Sequence, residues 1–360
     1  MKKILILAND EMTLYYFRRE LLQKLLLEKY DVYISFPKGI TQTKELIEMG
    51  CKFINTNIKR RGMNPLDDLK LLYEYINIIN KLKPDKVLTY TIKPNIYGGL
   101  ACSFKKAPYV ATITGLGTAV ENKGVLQSVL LLLYRFALKK SSCVFFQNEQ
   151  NRDFFISKNI IKNNYILVNG SGVNLDKFRI LDYPQKTNFF FIARIMKTKG
   201  IDEYLQAAEH IKKTYKDVNF HIVGFCEEDY QKVIKKMSDS KIVIYHGQCD
   251  NIPELQKINS CTILPSYHEG MSNVLLESCA CARPCLCSDI PGCREIIENE
   301  KNGFLFESKN TQSLISAIEN FLLLPYEERK RMGLYGRKKI EKDFNREDIV
   351  KKYIEKITEA

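Results

Sequence analysis

The sequence predicts an α/β protein made of two doubly wound domains. Three observations carry this. Short apolar runs of strand length alternate with longer segments whose apolar residues recur at helical spacing. The alternation stops once, at a polar stretch with a proline, Leu181-Asp-Tyr-Pro-Gln-Lys-Thr187, and then restarts. A chain of 360 residues is long enough to bury two cores. The expected domains are therefore 1–180 and 187–342, with a last helical segment, 343–360, that crosses back to brace the first. Two such domains face each other across a cleft, which is the expected site.

The first domain opens with Lys3–Leu7 as a buried-type strand and residues 12–27 as one helix. A strand over 32–36, a helix over 41–49 and a short strand around Phe53 and Ile54 follow. Residues 66–82 form an amphipathic helix that stops before Pro84, because the residue preceding a proline is pushed out of the α region. Then come a strand at 86–90, a helix at 95–104, a strand at 109–113, a helix at 125–138 and strands at 143–146 and 165–168. Strand–helix units of this length imply a parallel sheet covered on both faces, with ligands at the carboxyl ends of the strands. Three loops fall there: Ala8-Asn-Asp-Glu11, Thr91-Ile-Lys-Pro94 and Thr114-Gly-Leu-Gly-Thr118.

The second domain repeats the pattern with strands at 189–192, 220–223, 242–245 and 262–264. Helices at 201–213, 229–237 and 253–258 separate them. After the last of these strands a polar loop, Ser266-Tyr-His-Glu-Gly-Met-Ser272, leads into a helix capped by Ser272 or Asn273. A strand at 285–287, a helix around 295–297 and helices through 313–324, 326–336 and 347–358 complete the chain.

Composition is that of an ordinary globular protein, 45% apolar and 27% charged. The apolar run after Met1-Lys-Lys is stopped by Asn9-Asp10-Glu11, too soon for a secretory signal. The longest apolar stretch, residues 125–133, is broken by Gln127 and Ser128 and is far short of a membrane span. The expected location is the cytoplasm. Eleven scattered cysteines agree with a reducing compartment. The group Cys279, Cys281, Cys285, Cys287 and Cys293 reads as buried small hydrophobes in preference to a zinc site.

Charge is asymmetric. Residues 1–180 hold 28 Lys and Arg against 15 Asp and Glu, while residues 181–360 balance at 27 of each, so the whole net charge of +13 sits in the first half. An anionic membrane surface is the expected partner, and no nucleic-acid reader motif accompanies the charge.

The chemistry concentrates at strand ends of the second half. Arg194-Ile-Met-Lys-Thr-Lys199 puts three cations in one loop leading into a helix, which suits a diphosphate. Gly224 and Gly247 end two other strands and permit close backbone approach to a flat ligand. The capped helix start near Asn273 is an anion site by its free N–H groups and dipole. Two carboxylates beside it, Glu269 and Glu277, suit hydroxyls instead of phosphate. A nucleotide-sugar carries both groups.

With these residues in view, the second half resembles the donor-binding domain of the retaining glycosyltransferases of family 4, which have the GT-B fold. The resemblance rests on Arg194 and Lys199, His221-Ile-Val-Gly224, Gly247, and Glu269 followed after seven residues by Glu277. Pro291-Gly-Cys-Arg-Glu-Ile-Ile297 and Asn302-Gly303 extend it. In the first half, Thr114-Gly-Leu-Gly117, Ser171-Gly-Val-Asn174 and Phe178 resemble the family's matching loops. The similarity spans nearly the whole chain and is greatest to bacterial enzymes that extend undecaprenyl-diphosphate-linked glycans for O-antigen, capsule or protein glycosylation.

The resemblance implies a role for each residue. Arg194 and Lys199 would bind the donor diphosphate and stabilise the leaving phosphate in place of a metal ion, so no cofactor and no metal are expected. Glu269, with the backbone of Gly270, Met271, Ser272, Asn273 and Val274, would hold the transferred sugar and diphosphate. Glu277 would accept the ribose hydroxyls, and Gly115 and Gly117 would let the first domain approach the donor. Two departures stand out. The first loop reads Asn9-Asp10-Glu11 where relatives carry glycines, and the loop after the fourth strand has Lys93 where many place a histidine. Asp10 and Lys93 become the candidates for acceptor contact.

The expected function is transfer of a sugar from a nucleotide diphosphate, UDP above others, to a lipid-linked saccharide at the inner membrane face. A nucleotide-sugar 2-epimerase of the same fold is the alternative, and it would want more acid–base groups in the cleft. A dinucleotide oxidoreductase lacks its Gly-x-Gly-x-x-Gly loop. A binding-only scaffold would not need Arg194, Lys199, Glu269 and Glu277 together.

Overall fold

A computed structural model of the chain describes residues 1–39, 41–59, 64–115 and 124–359. The chain divides into two units: Met1–Ser171 together with Glu347–Ala360, and Gly172–Arg346.

In the first unit seven strands form one parallel sheet: Lys3–Leu7 (β1), Asp31–Phe36 (β2), Lys52–Asn55 (β3), Lys86–Tyr90 (β4), Tyr109–Ile113 (β5), Cys143–Phe146 (β6) and Tyr165–Leu167 (β7). Their order is β3-β2-β1-β4-β5-β6-β7. The central strands β1, β4, β5 and β6 are buried almost throughout, as apolar runs covered by helices on both faces must be. The second unit repeats the plan with Asn188–Ile192 (β8), Asn219–Val223 (β9), Ile244–Tyr245 (β10), Cys261–Leu264 (β11), Cys285–Ser288 (β12) and Gly303–Phe306 (β13). Its order is β10-β9-β8-β11-β12-β13, again parallel. The expected pair of doubly wound α/β units is what the chain forms.

The division falls at Ser171–Gly172, so the expected linker, residues 181–187, lies inside the second unit. Its polar backbone is held by a buried guanidinium: Arg283 Nη1 donates to Leu181 O at 3.1 Å and Nη2 to Asp182 O at 2.8 Å. Tyr183 adds a hydrogen bond to Ser260 O at 3.1 Å. A polar proline-containing stretch is a loop, and nothing in its composition separates a surface linker from a loop pinned by one distant arginine.

The terminal helix Arg346–Thr358 returns the chain to the first unit. Ile349, Tyr353 and Ile357 join the core formed by β1, β2, β4 and the helix Arg19–Leu27. Tyr353 stacks on Phe145 with ring centroids 4.1 Å apart. Lys86 Nζ caps the helix end by donating to Lys356 O at 3.0 Å and Glu359 O at 2.8 Å.

Three local expectations are corrected. Residues 12–27 form two helices, Glu11–Phe17 and Arg19–Leu27, broken at Arg18 (φ −133°, ψ 6°). The break turns the Arg18 side chain inward over the rings of Tyr90 and Tyr353, at 4.8 and 5.5 Å. Residues 295–297 are a turn, because the Asn302 side chain accepts from Glu298 N at 2.7 Å and donates to Ile296 O at 3.0 Å. The helix Glu149–Ser157 and the strand β13 were not expected at all. Among the described residues no helix is long and apolar enough to cross a membrane.

Candidate active site

The strand order of the second sheet reverses between β8 and β11: β9 and β10 lie on one side, β12 and β13 on the other. Loops leaving two such strands diverge and open a crevice at their carboxyl ends. The sequence places its charged constellation in those two loops.

The loop after β8 carries Arg194 and ends in a 3₁₀ turn, Lys197–Lys199. Gly200 follows at φ +74°, and a Cβ there would stand 2.0 Å from Pro265 O. Only glycine lets this loop lie directly against the loop after β11. The contact is fastened by Tyr267 N donating to Thr198 O at 2.9 Å. Lys199 Nζ then reaches Glu269 Oε1 at 2.6 Å, and Ser266 Oγ donates to the same oxygen at 2.7 Å. Both partners are largely buried, so their attraction is screened less than that of a surface pair.

Arg194 forms an ion pair with Glu227, which stands in the loop after β9. That loop is drawn in by Gly224 (φ +142°), where a Cβ would stand 1.9 Å from Ala193 O. Gly224 N donates to Gly247 O at 2.8 Å, and Gly247 takes φ +69°. The two glycines named for close approach therefore shape the loops that carry Arg194 and follow β10.

Beyond Glu269 the chain passes Gly270 and the buried Met271 to Ser272, the N-cap of the helix Asn273–Ala280. Ser272 Oγ accepts from Leu275 N at 3.4 Å. Val274 packs against Phe190, Ile192 and Val223. The Glu277 carboxyl, one turn further, takes no hydrogen bond among the described residues. Burial pushes its carboxyl up to about 7, against the opposing pull of Arg346 and Lys177. Its surroundings favour a neutral or hydroxyl-bound carboxyl over a free charge.

Beside this crevice, on β9 and just after β10, His221 Nδ1 and His246 Nε2 lie 2.9 Å apart. The His221 ring stacks on Phe190 at 4.3 Å. Burial and the neighbouring imidazole push His221 down to about 4, and burial lowers His246. The five clustered cysteines are all buried in one core beneath the helix Asn273–Ala280.

In the first unit, Asp10 N-caps the helix Glu11–Phe17 and accepts from Thr13 N and Oγ1, each at 2.8 Å. Lys93 is paired with Asp68 at 2.7 Å, and Tyr97 donates to the other Asp68 oxygen at 2.9 Å. Gly115 follows β5, and Gly117 lies outside the described residues.

The structure thus joins Lys199 to Glu269 directly and sets Arg194 on the same loop as Lys199. Sequence reasoning missed Glu227 and Ser266, the partners that orient this set. The available signals were an acid three residues past a strand-end glycine and a hydroxyl three residues before Glu269.

The chain is similar to known proteins over most of its length. A Campylobacter jejuni N,N'-diacetylbacillosaminyl-diphospho-undecaprenol alpha-1,3-N-acetylgalactosaminyltransferase is 28% identical over 351 residues, 92% of this chain and 92% of that one. An Escherichia coli UDP-Gal:alpha-D-GlcNAc-diphosphoundecaprenol alpha-1,3-galactosyltransferase is 26% identical over 279 residues, covering 72% and 71%. Anabaena HepE, solved in complex with UDP and glucose, superposes with a TM-score of 0.80 at 16% identity over 100% of both chains, which shows the shared fold. The family models "Glycosyl transferase 4-like" and "Glycosyl transferases group 1" match residues 3–148 and 174–339. Between them they take in both units and the crevice just described, and the chain belongs to the glycosyltransferases of the two-domain GT-B fold.

Proposed function

We propose that the protein is a retaining glycosyltransferase that moves a sugar from a UDP-sugar to an undecaprenyl-diphosphate-linked saccharide during surface glycan synthesis. The observation that carries the reading is the Lys199–Glu269 pair at 2.6 Å, set in the crevice before a helix N-terminus. A diphosphate entering there meets Lys199, Arg194 and the positive end of the helix Asn273–Ala280, while Glu269 and Glu277 remain for hydroxyls. The names of the two relatives support the acceptor class, and their alpha linkages support retention, since common UDP-sugars are themselves α-linked.

In the reaction the acceptor hydroxyl oxygen bonds to the anomeric carbon on the face the phosphate leaves. The bond from that carbon to the β-phosphate oxygen breaks, and the acceptor proton passes to the departing oxygen, giving UDP. Arg194 and Lys199 neutralise the charge that develops, and we assign this task to them without a metal ion. The basic first unit would lie at the anionic cytoplasmic face of the membrane, where the lipid-linked acceptor is presented.

The test is incubation of purified protein with labelled UDP-sugars and undecaprenyl-diphosphate-linked GlcNAc or diacetylbacillosamine. Labelled lipid product of α configuration is the expected result. Absence of thermal stabilisation by UDP, GDP or ADP would overturn the reading.

A further inference from the structure

The helix Val125–Leu138 buries Tyr134, Ala137 and Leu138 in the first unit's core. Its other face is exposed. Val125, Val129, Leu132 and Phe136 are 83%, 47%, 50% and 56% exposed. Their spacing of four, three and four residues stacks them in one stripe along the helix. Lys139 keeps helical backbone angles (φ −57°, ψ −33°), which carries the stripe's turn onward so that Lys139 and Lys140 flank its end. Both lysines are exposed. Scattered exposed apolar residues are ordinary, whereas a continuous stripe ending in cations is an interaction surface.

The surrounding sequence says what covers it. From Lys86 through Asn148 there are eight Lys and Arg and one acid, Glu121. A face of Val, Leu and Phe edged by lysines, in a segment almost without carboxylates, complements an anionic lipid surface. A protein partner rich in apolar groups would not need this charge. The helix has 14 residues, about 21 Å, against a hydrocarbon core of about 30 Å, so it lies in the interface plane and does not span.

We propose that the exposed face of the helix Val125–Leu138, with Lys139 and Lys140, docks the first unit onto an anionic bilayer. The surface needs no sugar chemistry to act, but its use, bringing the enzyme to a lipid-linked acceptor, rests on the function proposed above. Each lysine near such a surface should strengthen binding about fivefold, and the lysine pair about 25-fold.

The test is flotation of the full chain with vesicles of phosphatidylglycerol and phosphatidylcholine in equal parts, and with phosphatidylcholine alone. The wild type should float with the first, progressively less as salt is raised, and stay behind with the second. Val129→Glu/Phe136→Glu should lose flotation, and Lys139→Glu/Lys140→Glu should weaken it by at least the 25-fold of simple removal. Stabilisation by UDP, measured on the same samples, should be unchanged in both variants and so reports intact folding. Variants that float like the wild type would overturn the proposal. So would a wild type that does not float but sediments as a dimer which both variants dissociate, because the face would then join two copies. Flotation without any transferase activity would sink only the proposed reaction and leave the docking face standing.

Discussion

Lys199 and Glu269, separated by 70 positions in the chain, meet at 2.6 Å where the strand order of the second sheet reverses. Neither residue needs a rearranged backbone to reach the other, because Gly200 has already brought their loops into contact. An ammonium held this way is positioned before any ligand arrives, and preorganised charge is what lowers a barrier that develops charge.

Lys199→Ala should therefore lower the transfer rate by on the order of 10²- to 10³-fold and, by leaving the largely buried Glu269 without its cation, cost roughly 2–4 kcal/mol of stability. Steady-state kinetics with saturating donor measure the first, and denaturant unfolding the second. An unchanged rate would remove Lys199 from the reaction.

Glu277 gives a pH signature. Its folded value of about 7 lies above the ordinary carboxyl value of 4.5, so between these limits the folded state holds more protons than the unfolded one. Stability should fall as pH rises from about 4.5 to about 7, and Glu277→Gln should flatten that slope. Donor affinity should run the other way, rising through the same window as the carboxylate becomes a stronger acceptor for ribose hydroxyls. Calorimetry of UDP binding across pH checks it, and a pH-independent affinity would count against the assigned contact.

The His221–His246 pair predicts acid sensitivity of opposite sign. His221 is held near 4, below its ordinary 6.5, so the unfolded state binds the extra proton in that window. Stability from this residue should be complete above about 6.5 and lost as pH falls towards 4. His221→Phe should reduce the loss in urea melts at pH 5 relative to pH 8.

Gly224→Ala should cost roughly 2–4 kcal/mol, combining an unfavourable φ with a backbone oxygen at 1.9 Å that cannot move aside like a side chain. Because that oxygen belongs to Ala193, the substitution should also weaken donor binding through the displaced Arg194. Gly247→Ala, with the same sign of φ but open space, should cost only the strain of its backbone, about 1–2 kcal/mol.

Much of this was legible in the residues. Parallel strands such as β4, β5, β8 and β11 are short apolar runs between helices, and their sequence states their burial outright. Lys199, Glu269 and the Ser272 cap are local features of strand-end loops, readable for the same reason. The break at Arg18 was not legible, because the rings its side chain turns onto include Tyr353, 335 positions away. Nor was the docking of residues 181–183 by Arg283, whose guanidinium and target carbonyls are about a hundred positions apart. Asn302, by contrast, turns the expected helix from only four and six positions away, through hydrogen bonds to Glu298 N and Ile296 O that composition does not display.

The terminal helix makes the order of synthesis differ from the order of completion. The first unit, although translated first, lacks Ile349, Tyr353 and Ile357 of its core until the helix Arg346–Thr358 leaves the ribosome. The second unit, Gly172–Arg346, has its whole sequence earlier and can close while its predecessor still exposes the surface around Phe145 and Tyr90. A stop introduced after Arg346 should thus spare the later-made domain and leave the earlier-made one to aggregate or to be degraded, so that quality control of this enzyme is exercised at the helix Arg346–Thr358.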